Sequence, residues 1–256
     1  MLVHLIPGEE GCVFAREHDC VAVVVDALRA SATAAMLLDA GAAEILVVQE
    51  VAGALAAKAA DPDALLYGER GGVPPEGFDF GNSPREVSHA AGSRAILTTT
   101  TGALRVNQAW GCKAVYMGTT INATAAARAA VAHDCDIVVI PAGLAGDPDF
   151  DAQEDVTAAA IVMKETRLDI GEGAKVFANM LYRVQAEGVD VLFRNAPHAQ
   201  KLRDLGLDED VVFCAQIDIS GVVPKAIERT VHGIRMQRVN PQACDGENGA
   251  QKSTTL

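Results

Sequence analysis

Asp26, Arg29 and Ser31 stand within six residues of one another, directly after the apolar run VAVVV. A carboxylate suits a hard cation and a planar guanidinium matches a tetrahedral oxyanion, so this spacing is suited to metal and anion chemistry. The combination recurs along the chain. Glu69 and Arg70 follow the run ALLYG, Asp79, Asn82 and Ser83 lie in GERGGVPPEGFDFGNSPRE, and Thr98, Thr99, Thr100 and Thr101 run into Gly102. Glu154 and Asp155 sit in DFDAQEDVTAAA. Each group also has a structural alternative. Asp26 and Ser31 can be helix caps, Glu69 and Arg70 a solvated turn pair, the threonines strand formers, and Asn82-Ser83-Pro84 a turn leading into a helix. Glu154 and Asp155 can complement a helix dipole.

The elements that must position these residues are legible as alternating patterns. Short apolar runs at 2–6, 20–25, 44–48, 64–67, 94–97, 114–117 and 137–140 predict strands, and alanine-rich segments at 31–40, 51–60, 101–109 and 122–132 predict helices. Continuous apolar strands separated by helices indicate an α/β fold of three layers, α/β/α, around a largely parallel sheet. From residue 151 the texture is helical, in DAQEDVTAAAIVMKETRL, GEGAKVFANMLYRVQAE and NAPHAQKLRDLGLDEDVV, with a return to strand at 233–239. Residues 1–240 read as one domain with a change of texture near 145–150, and the polar, Gly-rich stretch within 241–256 reads as a disordered tail. Ligands of parallel sheets sit beyond the carboxyl ends of the strands. The polar residues fall there, so one sheet edge collects them.

Composition narrows the ligand. The 256 residues are half apolar, enough for a full core without staples, and carry a formal charge of −13. Such a charge argues against nucleic acid and acidic membrane as partners, since both require clustered Lys and Arg. Six cysteines without a CxxC pair suggest small buried hydrophobes rather than zinc ligands or disulfides. The N-terminal residues lack the features of a signal peptide and no apolar run is of spanning length, so the expected location is the cytoplasm. A homodimer is the expected assembly only because closed dimers are the commonest.

An anionic ligand in an acidic protein requires local positive potential from arginine, helix N-termini or metal. The hard carboxylates of Asp26, Glu69, Asp79, Glu154 and Asp155 suit Mg²⁺, with Arg29 and Arg70 on the anion and the hydroxyls, Asn82 and Gly102 as donors. No GxxxxGK[ST] is present. An apolar run ending in Asp is shared with aspartyl-nucleophile phosphatases, but the position of their second acid is Leu28 here. That favours Asp26 as a metal ligand and a metal-activated water as attacking group, with an aspartyl-phosphate on Asp26 as the rival.

VVVDALRASATAAM, GER, GFDFGNSPRE, LTTTTGALR, EDVTAAAIV and HAQKLRDLGLDEDVVFCAQIDISGVVP together resemble the 2-phosphosulfolactate phosphatase family, in order and over nearly the whole chain. The resemblance implies a three-layer α/β/α fold and Mg²⁺-dependent hydrolysis of (R)-2-phospho-3-sulfolactate to 3-sulfolactate and phosphate, in methanogens a step toward coenzyme M. Two stretches depart from the family pattern. Thr101 and Ala103 replace an amide and a hydroxyl, and Pro141-Ala142-Gly143 replaces Cys-Ala-Gly. Two other readings stay open: a phosphatase of another small 2-phospho-acid, and a non-catalytic binder of a small sulfonate or phosphate.

Overall fold

Five consecutive apolar residues that are all buried require a strand covered on both faces, and Val21–Val25 (β2) occupies such a place. The computed structural model describes residues 1–147 and 149–239; the tail expected over 241–256 lies outside them. In chain order the elements are β1 (Leu2–Leu5), α1 (Gly8–Glu17), β2, α2 (Ala30–Asp39), β3 (Glu44–Val47), α3 (Val51–Ala60), β4 (Leu65–Gly68), β5 (Arg94–Thr98), α4 (Gly102–Ala109) and β6 (Ala114–Met117). There follow α5 (Ala123–Val131), β7 (Ile137–Pro141), α6 (Gln153–Thr166), β8 (Asp169–Ile170), α7 (Ala174–Glu187), α8 (Val189–Arg194), α9 (Pro197–Asp204), α10 (Asp208–Cys214), β9 (Val223–Arg229) and β10 (Ile234–Val239).

The strands form one sheet in the order β4-β5-β3-β10-β9-β6-β2-β7-β1-β8. Side chains alternate across it, as the strand period of two requires. Val21, Val23 and Val25 face Ile121, Ala126 and Val162, whereas Ala22 and Val24 face Cys12, Leu37 and Val106. Helices therefore cover both faces, and the α/β expectation with a mostly parallel sheet holds. Two parallel blocks, β4-β5-β3 and β6-β2-β7-β1-β8, are joined by the antiparallel hairpin β9-β10, which pairs with β3 through β10 and with β6 through β9.

Several elements differ from the pattern reading, among them the two-residue β8 and the short α8, which it does not contain. The helix α1 was not in it, because GEEGCVFARE carries two glycines and only a narrow apolar face. The strand β9 was not in it, because Pro224 interrupts the apolar run and Lys225, Glu228 and Arg229 break the alternation. The single helix expected in NAPHAQKLRDLGLDEDVV is two, separated at Gly206, whose φ of +76° stops α9 and turns the chain into α10. Among the described residues no helix is long and apolar enough to cross a membrane.

Candidate active site

Strand ends and helix starts meet in a cavity of about 180 Å³. Asp26 and Arg29 reach its wall from the loop between β2 and α2, Glu69 and Gly72 from the segment after β4, Thr100 and Thr101 from the turn before α4, and Asp155 from the first turn of α6. Pro197, His198 and Lys201 close it from α9. Although β5 and β2 are separated in the sheet by β3, β10, β9 and β6, the residue after the β5 turn, Gly102, sits against Asp26 after β2. The sheet wraps α2, which touches β3, β6, β9 and β10, and that curvature closes the gap.

The short link from β2 to α2 fixes Asp26. Its N–H donates to Ser31 Oγ at 3.0 Å, and its Oδ1 accepts the Ala30 N–H, an otherwise orphaned donor at the start of α2, at 3.1 Å. Its Oδ2 faces α4, where a β-carbon on Gly102 would lie 2.7 Å away and 2.6 Å from Ala30 Cβ. No larger residue fits between α4 and Asp26. Gly102→Ala is expected to destabilise the protein by about 1–3 kcal/mol through overpacking, seen as a lower midpoint in urea with an unchanged slope. An unaltered midpoint would show that α4 yields freely.

Asp155 is buried. Its two oxygens accept the N–H groups of Ala27 at 2.7 Å and Gly143 at 3.0 Å, tying α6 to the ends of β2 and β7. Glu69 clamps the opposite wall, where Oε2 accepts the Gly72 N–H at 2.8 Å and Oε1 accepts both the N–H and the hydroxyl of Thr100 at 2.9 Å. Glu154 is 1% exposed; its Oε1 lies 3.3 Å from His198 Nδ1, and its Oε2 is buried with no hydrogen-bond partner among the described residues.

Crowding of acids shows in their titration. Burial pushes Asp26 up to about 6, with Glu69 and Glu154 adding to the rise and His198 and the Ala30 N–H opposing it. Asp155 is raised well above the usual carboxylate range by burial and by the charges of Glu154 and Asp26. Burial also raises Glu69, but the bonds from Thr100 and Gly72 outweigh it and its net shift is downward. Burial lowers His198, yet the bond to Glu154 and the charges of Glu154, Asp26 and Glu69 win and its net shift is upward.

These features fit a hard divalent cation. Glu154 Oε2 is an orphaned buried oxygen, Asp26 has an oxygen facing a gap that glycine keeps open, and the acids around them resist ionising together. Among the described residues no three Asp, Glu, His or Cys side chains form a ready-made metal cage. Mg²⁺ does not need one, because it binds through one or two carboxylates and keeps water or phosphate in the rest of its shell.

Not every residue singled out in the sequence reaches the cavity. Asp79 is turned away, its Oδ2 accepting the Leu66 N–H at 2.8 Å and pairing with Lys58 at 3.0 Å, which braces the loop after β4. Arg70 spends its donors on Glu69 O, Gln49 O and Thr98 Oγ1, and does not line the wall. Ser31, donating to Val24 O, and Thr99, accepting the Ala103 N–H, brace the starts of α2 and α4. Ser83 donates to Asp210 Oδ1 at 2.7 Å. Asn82 does line the cavity and its Oδ1 has no partner among the described residues. Arg29 lines it too, but its guanidinium is held by Asp210 Oδ2 at 2.5 Å and Gly72 O at 2.9 Å.

His198, Lys201 and Asp210 were not among the candidates. Each is an ordinary residue in a helical pattern, and the signal available was the Gly206 break, which folds α9 and α10 back onto the sheet edge.

Residues 10–229 match the sequence profile of the family described as 2-phosphosulpholactate phosphatase. A protein of Deinococcus radiodurans, named probable 2-phosphosulfolactate phosphatase, is 38% identical over 216 residues, covering 81% of this chain and 88% of its own. A protein of the same name from Thermus thermophilus is 35% identical over 231 residues, covering 87% of this chain and 92% of its own. Another, from Carboxydothermus hydrogenoformans, is 33% identical over 210 residues, covering 81% and 86%.

Proposed function

Because the chain belongs to the 2-phosphosulfolactate phosphatase family, we propose that it is a phosphoric monoester hydrolase that converts (R)-2-phospho-3-sulfolactate to 3-sulfolactate and inorganic phosphate with Mg²⁺ as cofactor. The observation that carries this reading is the cavity that Asp26, Glu69 and Asp155 line beside the opening turn of α4, with Glu154 buried against the His198 of its wall. Asp26 and Glu154 would hold the ion, with Asp155 and Glu69 fixing the backbone around it, and it would supply Lewis-acid stabilisation of the phosphoryl oxygens.

The chain's own groups do the rest. The Gly102 N–H and the positive end of the α4 dipole face the phosphoryl group beside Thr100 and Thr101, while the Ala103 and Arg105 N–H groups are held by Thr99 and Thr101. Water adds to phosphorus and the bond from phosphorus to the lactate oxygen breaks. Leu28 lines the cavity where the second acid of an aspartyl-phosphate mechanism would be needed, so attack by water is the simpler course. Glu154 anchors His198 through Nδ1, which leaves Nε2 to donate a proton to the departing oxygen.

The test is phosphate release from phosphosulfolactate, phospholactate and phosphoglycerate, each with Mg²⁺ or chelator. Release is expected from phosphosulfolactate with Mg²⁺ and not with chelator; none from any substrate would favour an anion-binding protein. The ion is also expected to raise Tm, and more at pH 8 than at pH 5. Asp26 titrates near 6 folded and near 3.8 unfolded, so the folded state binds more protons between these values and metal-free stability falls as pH rises through them. The cation restores stability where the carboxylates are ionised. Equal shifts at both pH values would remove the acids from the ion's site.

A further inference from the structure

Charge pairing around the cavity singles out one cation. Of the basic side chains on its wall, Arg29 is 3% exposed and tied to Asp210, and His198 lies against Glu154. Asp210 faces Arg29 and Ser83 directly, with Arg85 Nη1 3.9 Å away, so the Arg29 charge is answered within the protein. Lys201 is the remaining one. It has no hydrogen bond and no acidic partner among the described residues, and it lies three positions after His198 on α9, so both face the cavity from one side of the helix.

The proposed substrate has two anionic ends. The phosphoryl end is accounted for by the α4 turn and the acidic wall with its cation; the sulfonate must lie away from those carboxylates, against positive charge. Of the arginines drawn from the sequence, Arg29 has its charge paired with Asp210 and is also tied to the Gly72 carbonyl, and Arg70 is tied to the carbonyls of Glu69 and Gln49 and does not line the cavity. We propose that Lys201 is the specificity-determining residue that binds the sulfonate. The ammonium is a compact, mobile charge on an exposed stem, suited to a sulfonate whose charge is spread over three oxygens at the mouth of the site. The assignment rests on the phosphatase reading and adds to it which end of the substrate points outward.

Lys201→Ala is expected to raise KM for phosphosulfolactate about tenfold with little change in kcat, so that the preference in kcat/KM over phospholactate, which lacks the sulfonate, falls by the same factor. Lys201→Arg is expected to recover most of the preference. An equal loss on both substrates would move Lys201 to the phosphate, and unchanged kinetics on both would remove it from the site; either overturns the proposal. Calorimetric titration with 3-sulfolactate and with lactate separates it from the phosphatase reading. If the wild type releases no phosphate, that reading fails alone provided sulfolactate still binds about tenfold more weakly to Lys201→Ala; equal binding overturns the Lys201 assignment as well.

Discussion

Asp26→Asn is expected to lower phosphate release by about a thousandfold while raising Tm of the metal-free protein. The amide keeps the shape of the side chain and an oxygen for the Ala30 N–H, so α2 still starts where it does. What it loses is the charge, and with it the affinity for a hard cation. At pH 7.5 the wild-type carboxylate is ionised although the fold holds its pKa near 6, against 3.8 unfolded. Ionisation therefore opposes folding, and a neutral amide removes that opposition. A rise of a few degrees is the expected scale. Steady-state kinetics and a melting curve without Mg²⁺ check both halves. Undiminished hydrolysis would remove Asp26 from the chemistry, and a fall in Tm would mean that the carboxylate is structurally required.

Asp210→Ala is expected to cost about 3–5 kcal/mol of stability, because it leaves the Arg29 guanidinium buried without its counter-charge. Arg29 is 3% and Asp210 2% exposed, so little solvent screens the unpaired charge. The loss extends beyond the pair, since Ser83 Oγ also loses its acceptor. Replacing both charges, as Arg29→Met with Asp210→Leu, is expected to cost less than the sum of the single losses, and urea unfolding of the four proteins gives the coupling energy. Additive losses would show that the two side chains contribute independently. This pair is also what attaches α10 to the loop after β2, so its loss is expected to loosen the α9 side of the cavity.

Much of the site was legible because its residues follow strands. Asp26, Glu69 and the Thr98 to Thr101 row lie just past β2, β4 and β5, and a parallel sheet sends such residues to one edge whatever the strand order. Glu154 and Asp155 were legible as acids beginning a helix. The pattern could not show which side chains turn inward. Asp79 has the same kind of neighbours as Asn82, three residues on, yet it is drawn to the Leu66 N–H and Lys58 while Asn82 enters the cavity. Arg29 and Arg70 were equivalent as guanidinium groups, and only tertiary pairing showed that Asp210 answers one and backbone carbonyls surround the other. His198 and Lys201 arrive from more than forty residues beyond Asp155, on a helix whose docking depends on the break at Gly206.

The hairpin β9-β10 has a bearing on how the chain reaches this state. It is the last pair of described strands to be synthesised, yet it sits in the middle of the sheet, between the block that carries Glu69 and Thr100 and the block that carries Asp26. Its partners are distant in sequence: Met236 pairs with Ile45, and Lys225 with Tyr116. Closing such long loops is slow, because the entropy is lost before the contacts are gained. On a ribosome the two blocks can each begin to form, but the sheet that joins the edge carrying Glu69 and Thr100 to the edge carrying Asp26 is complete only after the hairpin has emerged and intercalated. Completion of the sheet is accordingly expected late in folding, and a chain that has not yet inserted this hairpin has two unsatisfied sheet edges, at β3 and β6.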